Sequence, residues 1–363
     1  MREPARLFAV ALLGAAAAAR QAAAAPADAM LEVRLHGQWI EGCPLAWNAA
    51  QVLLLGRDGR LWSFAPREVT DFRRSAGRFR PYAPSELRAV LLRELGPGYE
   101  VSGTGHYLVA HRAGERDRWA GRFEQFYRGF IHYFAVRGLV LQEPPFPLVG
   151  VVCRDRRDFA RYAAGLGFSP SRNIAGYYDN ASNRIVVFDA AAGQPTAQNE
   201  EDFSAVLHEA AHQVAFNTGV HSRLSPPPLW LAEGLATLFE SSALGESSSS
   251  ALATCRVNRR RLADFYAEVL PHHRPELLEE LIGSDERFRT AAVPAYAQAW
   301  ALTSYLCETQ PQAYARYLAR TAQRDPFDRY DRSQRLADFQ DLFGADWRML
   351  EARMVRFIQQ MAR

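Results

Sequence analysis

Residues 203 to 216 read FSAVLHEAAHQVAF, and the interpretation of the whole chain begins with this stretch. Its apolar residues recur at helical spacing, so it is predicted to be a helix with Asp202 as the N-cap. His208 and His212 are four residues apart, which places both imidazoles on one helix face. Two ring nitrogens so arranged can bind one zinc ion, at roughly 2.0–2.1 Å each. Glu209 is too far round the helix to be a ligand, and is predicted to act as general base on a zinc-activated water.

A third ligand is predicted on a second helix. After three prolines, residues 229 to 239 read LWLAEGLATLF, which is apolar enough to be substantially buried. A buried carboxylate at Glu233 is costly unless it is paired or bound to a cation, and zinc coordination would offset that cost. Gly234 would let another backbone approach closely. His208, His212 and Glu233 leave the fourth zinc position open, which is typical of catalytic rather than structural sites.

These two segments together resemble the gluzincin zinc metallopeptidases. The similarity extends over roughly residues 99 to 310 to a peptidase-MA-like set of bacterial proteins of largely unknown function. The resemblance implies one Zn²⁺, a thermolysin-like catalytic domain with a mixed sheet and two zinc helices, and hydrolysis of a peptide or protein substrate. It also implies that the hairpin predicted over residues 174–189 provides an edge strand for the substrate backbone.

The resemblance further implies a residue that stabilises the oxyanion, and Tyr296 is the candidate on its matching helix. A tyrosine packed in a helical core would explain Tyr296 equally well. His221 is a weaker candidate for the same role. Which group orients the two histidines stays open, because Thr237 stands where some relatives carry an acidic residue.

One departure from the family bears on the type of cleavage. The aminopeptidases of this clan carry a Gly-x-Met-Glu-Asn segment for the free amine of the substrate, and the sequence has none. Internal cleavage is therefore favoured. Two alternatives stay open: a zinc-bound but non-cleaving protein that binds peptides or envelope components, and a chance occurrence of the motif on a helical scaffold.

The rest of the chain predicts an α+β fold in several parts. Strand-like runs at 31–35, 52–55 and 61–64 suggest a small β-barrel-like module. Ser85 is predicted to cap a short helix, and a long aromatic-rich helix is predicted to start near Glu115. The predicted division is a signal peptide (1–29), a small β module (30–80), a catalytic α+β zinc domain (81–260) and a C-terminal helical region (261–363).

Composition and the N-terminus predict where the protein acts. Arg2 and Arg6 precede a short apolar stretch and small residues, which is typical of an export signal, so a periplasmic or secreted protein is expected. An uncleaved anchor or an alanine-rich tail is the alternative. No other apolar run is long enough for a membrane span.

The 43 basic residues are all arginine and form no stripe, so no nucleic-acid partner is expected. Four widely spaced cysteines predict no particular disulfide, and the oligomeric state is left open.

Overall fold

A computed structural model describes residues 29–114, 117, 119–169, 174–188, 198–240, 257–272 and 274–361. The predicted signal segment lies almost entirely outside these residues. The strands are β1 Ala29–Leu35, β2 Gln38–Trp47, β3 Val52–Gly56, β4 Leu61–Phe64, β5 Val69–Arg78, β6 Tyr99–Gly103, β7 Tyr107–Arg112, β8 Leu148–Cys153, β9 Gly176–Asp179 and β10 Arg184–Phe188.

The helices are α1 Pro84–Leu95, α2 Ala120–Ala135, α3 Arg156–Gly165, α4 Gln198–Asn217, α5 Leu229–Phe239, α6 Arg259–Asp264, α7 Pro275–Gly283, α8 Glu286–Thr290, α9 Ala292–Thr309, α10 Pro311–Ala322, α11 Arg332–Phe343 and α12 Trp347–Met361. Helix α6 continues into a wider turn over Phe265–Val269. The predicted α+β class is therefore confirmed, because the chain contains both β-sheets and α-helices.

The N-terminal strands form an antiparallel five-stranded sheet in the order β4-β3-β2-β1-β5. Its buried residues include Val33, Val52 and Leu54. Among the described residues the edge strands β4 and β5 are not paired with each other, so the predicted barrel-like closure is not confirmed. Strand β4 instead bonds to the rest of the protein, because the Leu61 amide donates to the Ala181 carbonyl oxygen at 2.7 Å. Strands β2 and β5 were not among the predicted strands.

The second sheet is mixed and has the order β6-β7-β8-β10-β9. Strands β7, β8 and β10 run parallel, while β6 and β9 are antiparallel edge strands. All six residues of β8 are buried, as its apolar run predicts for a strand covered on both faces. The predicted hairpin over 174–189 is present as β9 and β10, and it leaves β9 at the edge of the sheet.

Three predicted helix starts are wrong. Helix α1 begins at Pro84, and the Glu86 side chain accepts from the Ala83 amide at 2.8 Å, so Ser85 lies inside the helix. Helix α2 begins at Ala120 rather than near Glu115. Helix α4 begins at Gln198, so Asp202 is not its cap. Each error concerns one end of a helix, where local sequence decides least.

Helix α5 lies between α4 and α9, and a glycine sets its approach to α9. A Cβ on Gly234 would lie 2.7 Å from the Ala299 carbonyl oxygen and closer still to Thr303 Oγ1. Only glycine therefore allows the two helices to pack at this distance. This confirms the close approach predicted at Gly234, and it brings the face of α9 that carries Tyr296 toward the residue next to the glycine.

Two further observations concern the chain as a whole. Within the described ranges, no helix is both long and apolar enough to cross a bilayer. Cys43, Cys153 and Cys307 are buried, and Cys255 lies outside the described residues.

Candidate metal centre

Helices α4 and α5 bring the three predicted ligands together. His208 Nε2 lies 3.1 Å from His212 Nε2 and 3.1 Å from Glu233 Oε2, while His212 Nε2 lies 3.6 Å from Glu233 Oε1. The three side chains form a group whose ligand atoms all lie within 4.8 Å of one another. The two histidines come from successive turns of α4, and Glu233 reaches them from the neighbouring helix.

This donor set fits a zinc ion. Tetrahedral donors at zinc distances of roughly 2.0–2.1 Å lie about 3.3–3.4 Å apart, close to the spacings of this group. Two neutral imidazoles and one carboxylate are also the ligand types that zinc takes in catalytic sites. His208, His212 and Glu233 are therefore the residues that would hold the metal, with a fourth position left for water or substrate.

Glu240 fixes the orientation of His208. Its Oε1 accepts a hydrogen bond from His208 Nδ1 at 2.9 Å, which assigns the proton to Nδ1 and leaves the Nε2 lone pair for a metal. Asn258 Nδ2 donates to the other carboxylate oxygen at 2.8 Å, and an Arg261 nitrogen donates to Oε1 at 3.2 Å. Although burial opposes it, the His208 bond and these neighbours lower the pKa of Glu240 to about 2, so it stays ionised.

The charges of the group couple its protonation to metal binding. Burial lowers the pKa of His208, but the bonded carboxylates of Glu233 and Glu240 outweigh it and raise that pKa well above its ordinary value. Burial likewise opposes ionisation of Glu233, and the two imidazoles lower its pKa. A metal ion must displace the proton of His208, so metal affinity decreases as the pH falls.

Glu209 lies beside the group and next to the edge strand. Its Oε2 accepts a hydrogen bond from the backbone amide of Tyr178 in β9 at 2.7 Å. Burial, only partly opposed by the charges of the two histidines, raises the pKa of Glu209 above its ordinary value. A carboxylate with a raised pKa is better suited to accept a proton near neutral pH than an ordinary one.

Tyr296 lies in α9 next to the group of His208, His212 and Glu233. Burial, and then the neighbouring Glu233 carboxylate, raise the pKa of its phenol, so the hydroxyl remains protonated and can donate a hydrogen bond. The guanidinium carbon of Arg261 lies 5.1 Å from the centre of its ring, and Phe288 packs edge-on against it. These contacts position Tyr296 at the site without deciding between the oxyanion role and a packing role.

His221 occupies a different environment. It is 2% exposed, and its ring packs against Phe216 at 5.3 Å between centres. Burial and the charge of His212 lower its pKa to about 3, so it is neutral near pH 7. Neither ring nitrogen has a hydrogen-bond partner among the described residues. His221 is therefore near His212 but is not one of the three grouped metal ligands.

Sequence reasoning missed Glu240 and Arg261. Glu240 follows Glu233 by seven residues, a spacing that returns to the same helix face after two turns and could have suggested a second acidic group at the site. Arg261 carried no signal of this kind, because a separate helix brings it to Glu240.

One family profile matches part of the chain. The profile of a family described as "Protein of unknown function (DUF1570)" matches residues 202–328, which include His208, His212, Glu233 and Tyr296. No curated protein matches the chain.

Among solved structures, a variant of an M1 zinc metallopeptidase from Deinococcus radiodurans is similar at 17% identity and a TM-score of 0.37, covering 70% of this chain and 49% of that one. The same enzyme with a bound Tyr-Ser-Ala substrate is similar at 16% identity and a TM-score of 0.37, and the match covers 70% of this chain and 51% of that one. This chain thus spans about half the length of that enzyme. A functionally unknown protein from Bacillus anthracis is similar at 9% identity and a TM-score of 0.37, and the match covers 92% of this chain and 68% of that one. TM-scores of this size are too low to establish a common fold.

Proposed function

We propose that this protein is a zinc-dependent peptidase that cleaves internal peptide bonds in the bacterial cell envelope. The observation that supports the proposal most is the convergence of His208, His212 and Glu233, with ligand atoms all within 4.8 Å of one another. Two imidazoles and a carboxylate brought together inside a protein are costly unless a cation joins them. A general base and a hydrogen-bond donor beside the same group support catalysis rather than metal storage.

The proposed reaction assigns a role to each side chain. Bound zinc would supply Lewis-acid activation of water and of the scissile carbonyl. Glu209 removes a proton from the attacking water and later delivers it to the leaving amine. Tyr296 donates a hydrogen bond to the developing oxyanion. Glu240 keeps His208 in the tautomer that offers Nε2 to the metal.

The substrate is proposed to be an extended peptide paired with β9. The Tyr178 amide points away from β10 to Glu209, and the carbonyl of the same residue lies on the same side of an antiparallel strand. The outer edge of β9 thus has a backbone acceptor beside the general base, where an added strand can bond. This arrangement supports binding of a peptide backbone next to the metal group.

A second candidate is a zinc-bound protein that binds peptides without cleaving them. The same edge strand and metal group would serve it, but Glu209 would then need no contact with the reacting water. Cleavage is favoured because Glu209 lies beside the three grouped residues, bonded to the Tyr178 amide, and because its pKa is raised.

The test is the substitution Glu209→Gln in the purified full-length protein loaded with zinc. The variant is expected to bind zinc in the wild-type ratio, while turnover of a peptide library falls by about 10²- to 10⁴-fold, the usual contribution of a general base. Metal content by mass spectrometry and cleavage by peptide profiling would be measured together. Glu308→Gln, a surface change in α9 outside the metal group, serves as the matched control.

Equal turnover by the Glu209→Gln variant and the wild type would exclude the assigned base. A zinc-loaded wild type that cleaves no member of the library would instead favour the binding protein.

A further inference from the structure

Helix α4 has a second polar stripe beside its metal ligands. Glu209, Gln213 and Asn217 are spaced by four residues, so their side chains lie along one face of the helix. Gln213 is fully buried and Asn217 is 9% exposed. Buried polar side chains cost free energy unless their hydrogen bonds are made, so Gln213 and Asn217 need partners.

Each member of the stripe bonds to the β9–β10 hairpin. Glu209 accepts from the Tyr178 amide at 2.7 Å, and Gln213 Nε2 donates to the Asn183 carbonyl oxygen at 2.8 Å. Asn217 and Asn183 exchange two amide hydrogen bonds, of 2.7 and 2.8 Å. Gln213 also donates to the carbonyl oxygen of Val149 in β8 at 3.0 Å, which ties the stripe to the centre of the sheet.

Asn183 is the centre of these contacts. It occupies the turn of the hairpin with φ +62°, a left-handed conformation that asparagine tolerates better than most residues. Its Oδ1 also accepts from the Tyr178 hydroxyl at 2.8 Å. Tyr178 is therefore held at both ends, by its backbone amide on Glu209 and by its ring hydroxyl on Asn183.

We propose that Gln213, Asn217 and Asn183 form a positioning clamp that fixes the edge strand β9 against the general base Glu209. The inference rests on the proposed function for its catalytic consequence, but the geometry of the clamp does not depend on a bound metal. The metal ligands lie on the neighbouring stripe of α4, so the clamp controls where the substrate strand lies relative to Glu209, and not whether the metal binds.

The experiment uses Gln213→Leu and Asn217→Leu in the full-length protein. Thr218→Val is the matched control: Thr218 directly follows α4 and is also buried, but its hydroxyl donates to the Val214 carbonyl oxygen of α4 and not to the hairpin. Amide hydrogen exchange of residues 176–179 would be measured in the zinc-free protein. Zinc affinity, kcat and KM would be measured in the zinc-loaded protein.

The clamp predicts that exchange in β9 becomes about tenfold faster in both leucine variants, because opening the strand requires fewer bonds to break. It also predicts that kcat falls by about 10- to 100-fold through misplacement of the substrate, with zinc affinity and the Thr218→Val variant unchanged.

The clamp would be overturned if amide exchange in β9 of the two leucine variants stayed at the wild-type rate. It would also be overturned if Thr218→Val changed that rate equally. Loss of zinc affinity parallel to kcat would also overturn it, because the residues would then act through the ligands. If the wild-type protein cleaves no peptide, the proposed function fails, while the exchange measurement still decides whether the clamp holds β9.

Discussion

Two carboxylates, the buried Glu124 in α2 and the partly buried Glu233 in α5, show how partners distinguish a structural group from a candidate functional one. Glu124 is 7% exposed and accepts four hydrogen bonds, from the His106 amide, His106 Nδ1, Thr104 Oγ1 and Arg128 Nε, at 2.9–3.0 Å. Glu233 instead faces the Nε2 atoms of two histidines. Its negative charge and the two Nε2 atoms are directed at the same place.

The two carboxylates differ in the groups that neutralise their charge. Although burial opposes it, bonds from His106 and Arg128 lower the pKa of Glu124 to about 2, so protein donors alone keep this carboxylate ionised. The group around Glu233 has no arginine of its own among its direct contacts in the described chain, and needs protons or a cation. A carboxylate whose charge is neutralised by protein donors indicates a structural role. A carboxylate whose charge they do not fully neutralise indicates a site for a ligand.

The largest expected effect comes from Glu233→Gln, which removes a direct ligand. Zinc affinity is expected to fall by more than about 100-fold, since loss of outer partners alone typically costs about 10- to 100-fold. Competition titration with a zinc-binding dye would measure it. Glu124→Gln is the matched comparison and should keep wild-type affinity; similar losses in both variants would remove the distinction between the two carboxylates.

A smaller effect is expected from Glu240→Gln. The glutamine can still accept from His208 Nδ1, but the negative charge that strengthens the ligand is lost, so zinc affinity should fall by about 10-fold or somewhat more. The same titration applies, with Thr237→Val, three residues earlier in α5, as a control. Unchanged affinity would mean that Glu240 contributes to packing but not to the metal.

The smallest effect concerns stability and its pH dependence. Glu124→Gln is expected to lower the free energy of unfolding near pH 7 by about 1–2 kcal/mol, through weaker hydrogen bonds. Because its folded pKa is about 2 and its ordinary value 4.5, the contribution of the charged form is present above pH 4.5 and is lost as the pH falls toward 2.

Urea unfolding curves between pH 7 and pH 2 would measure both properties. The wild type should lose more stability than the variant over that acid range. Parallel curves for the two proteins would show that Glu124 makes no such contribution.

Much of the candidate site follows from local spacing. The positions of His208 and His212 on one helix face are a consequence of helical geometry, and an acidic residue within the apolar run of α5 already indicated a cation. The edge hairpin and the apolar strand β8 were likewise predictable from turn residues and continuous hydrophobicity.

The remaining features depend on contacts between distant segments. The predicted barrel-like closure is not confirmed among the described residues, and the contact of β4 with Ala181 could not be inferred from strand patterns. Glu240, Arg261 and Asn183 have unremarkable local sequences, and acquire their roles only where α5, α6 and the hairpin meet α4.

The sequence alone determined which residues are candidates to bind a metal, because ligand type and helical period are properties of neighbouring positions in the chain. Only the tertiary structure decided that Glu233 reaches both imidazoles, that Glu240 orients His208, and that Glu209 contacts β9. Those relations depend on how separate helices and strands pack, and packing is set by contacts between residues far apart in the chain.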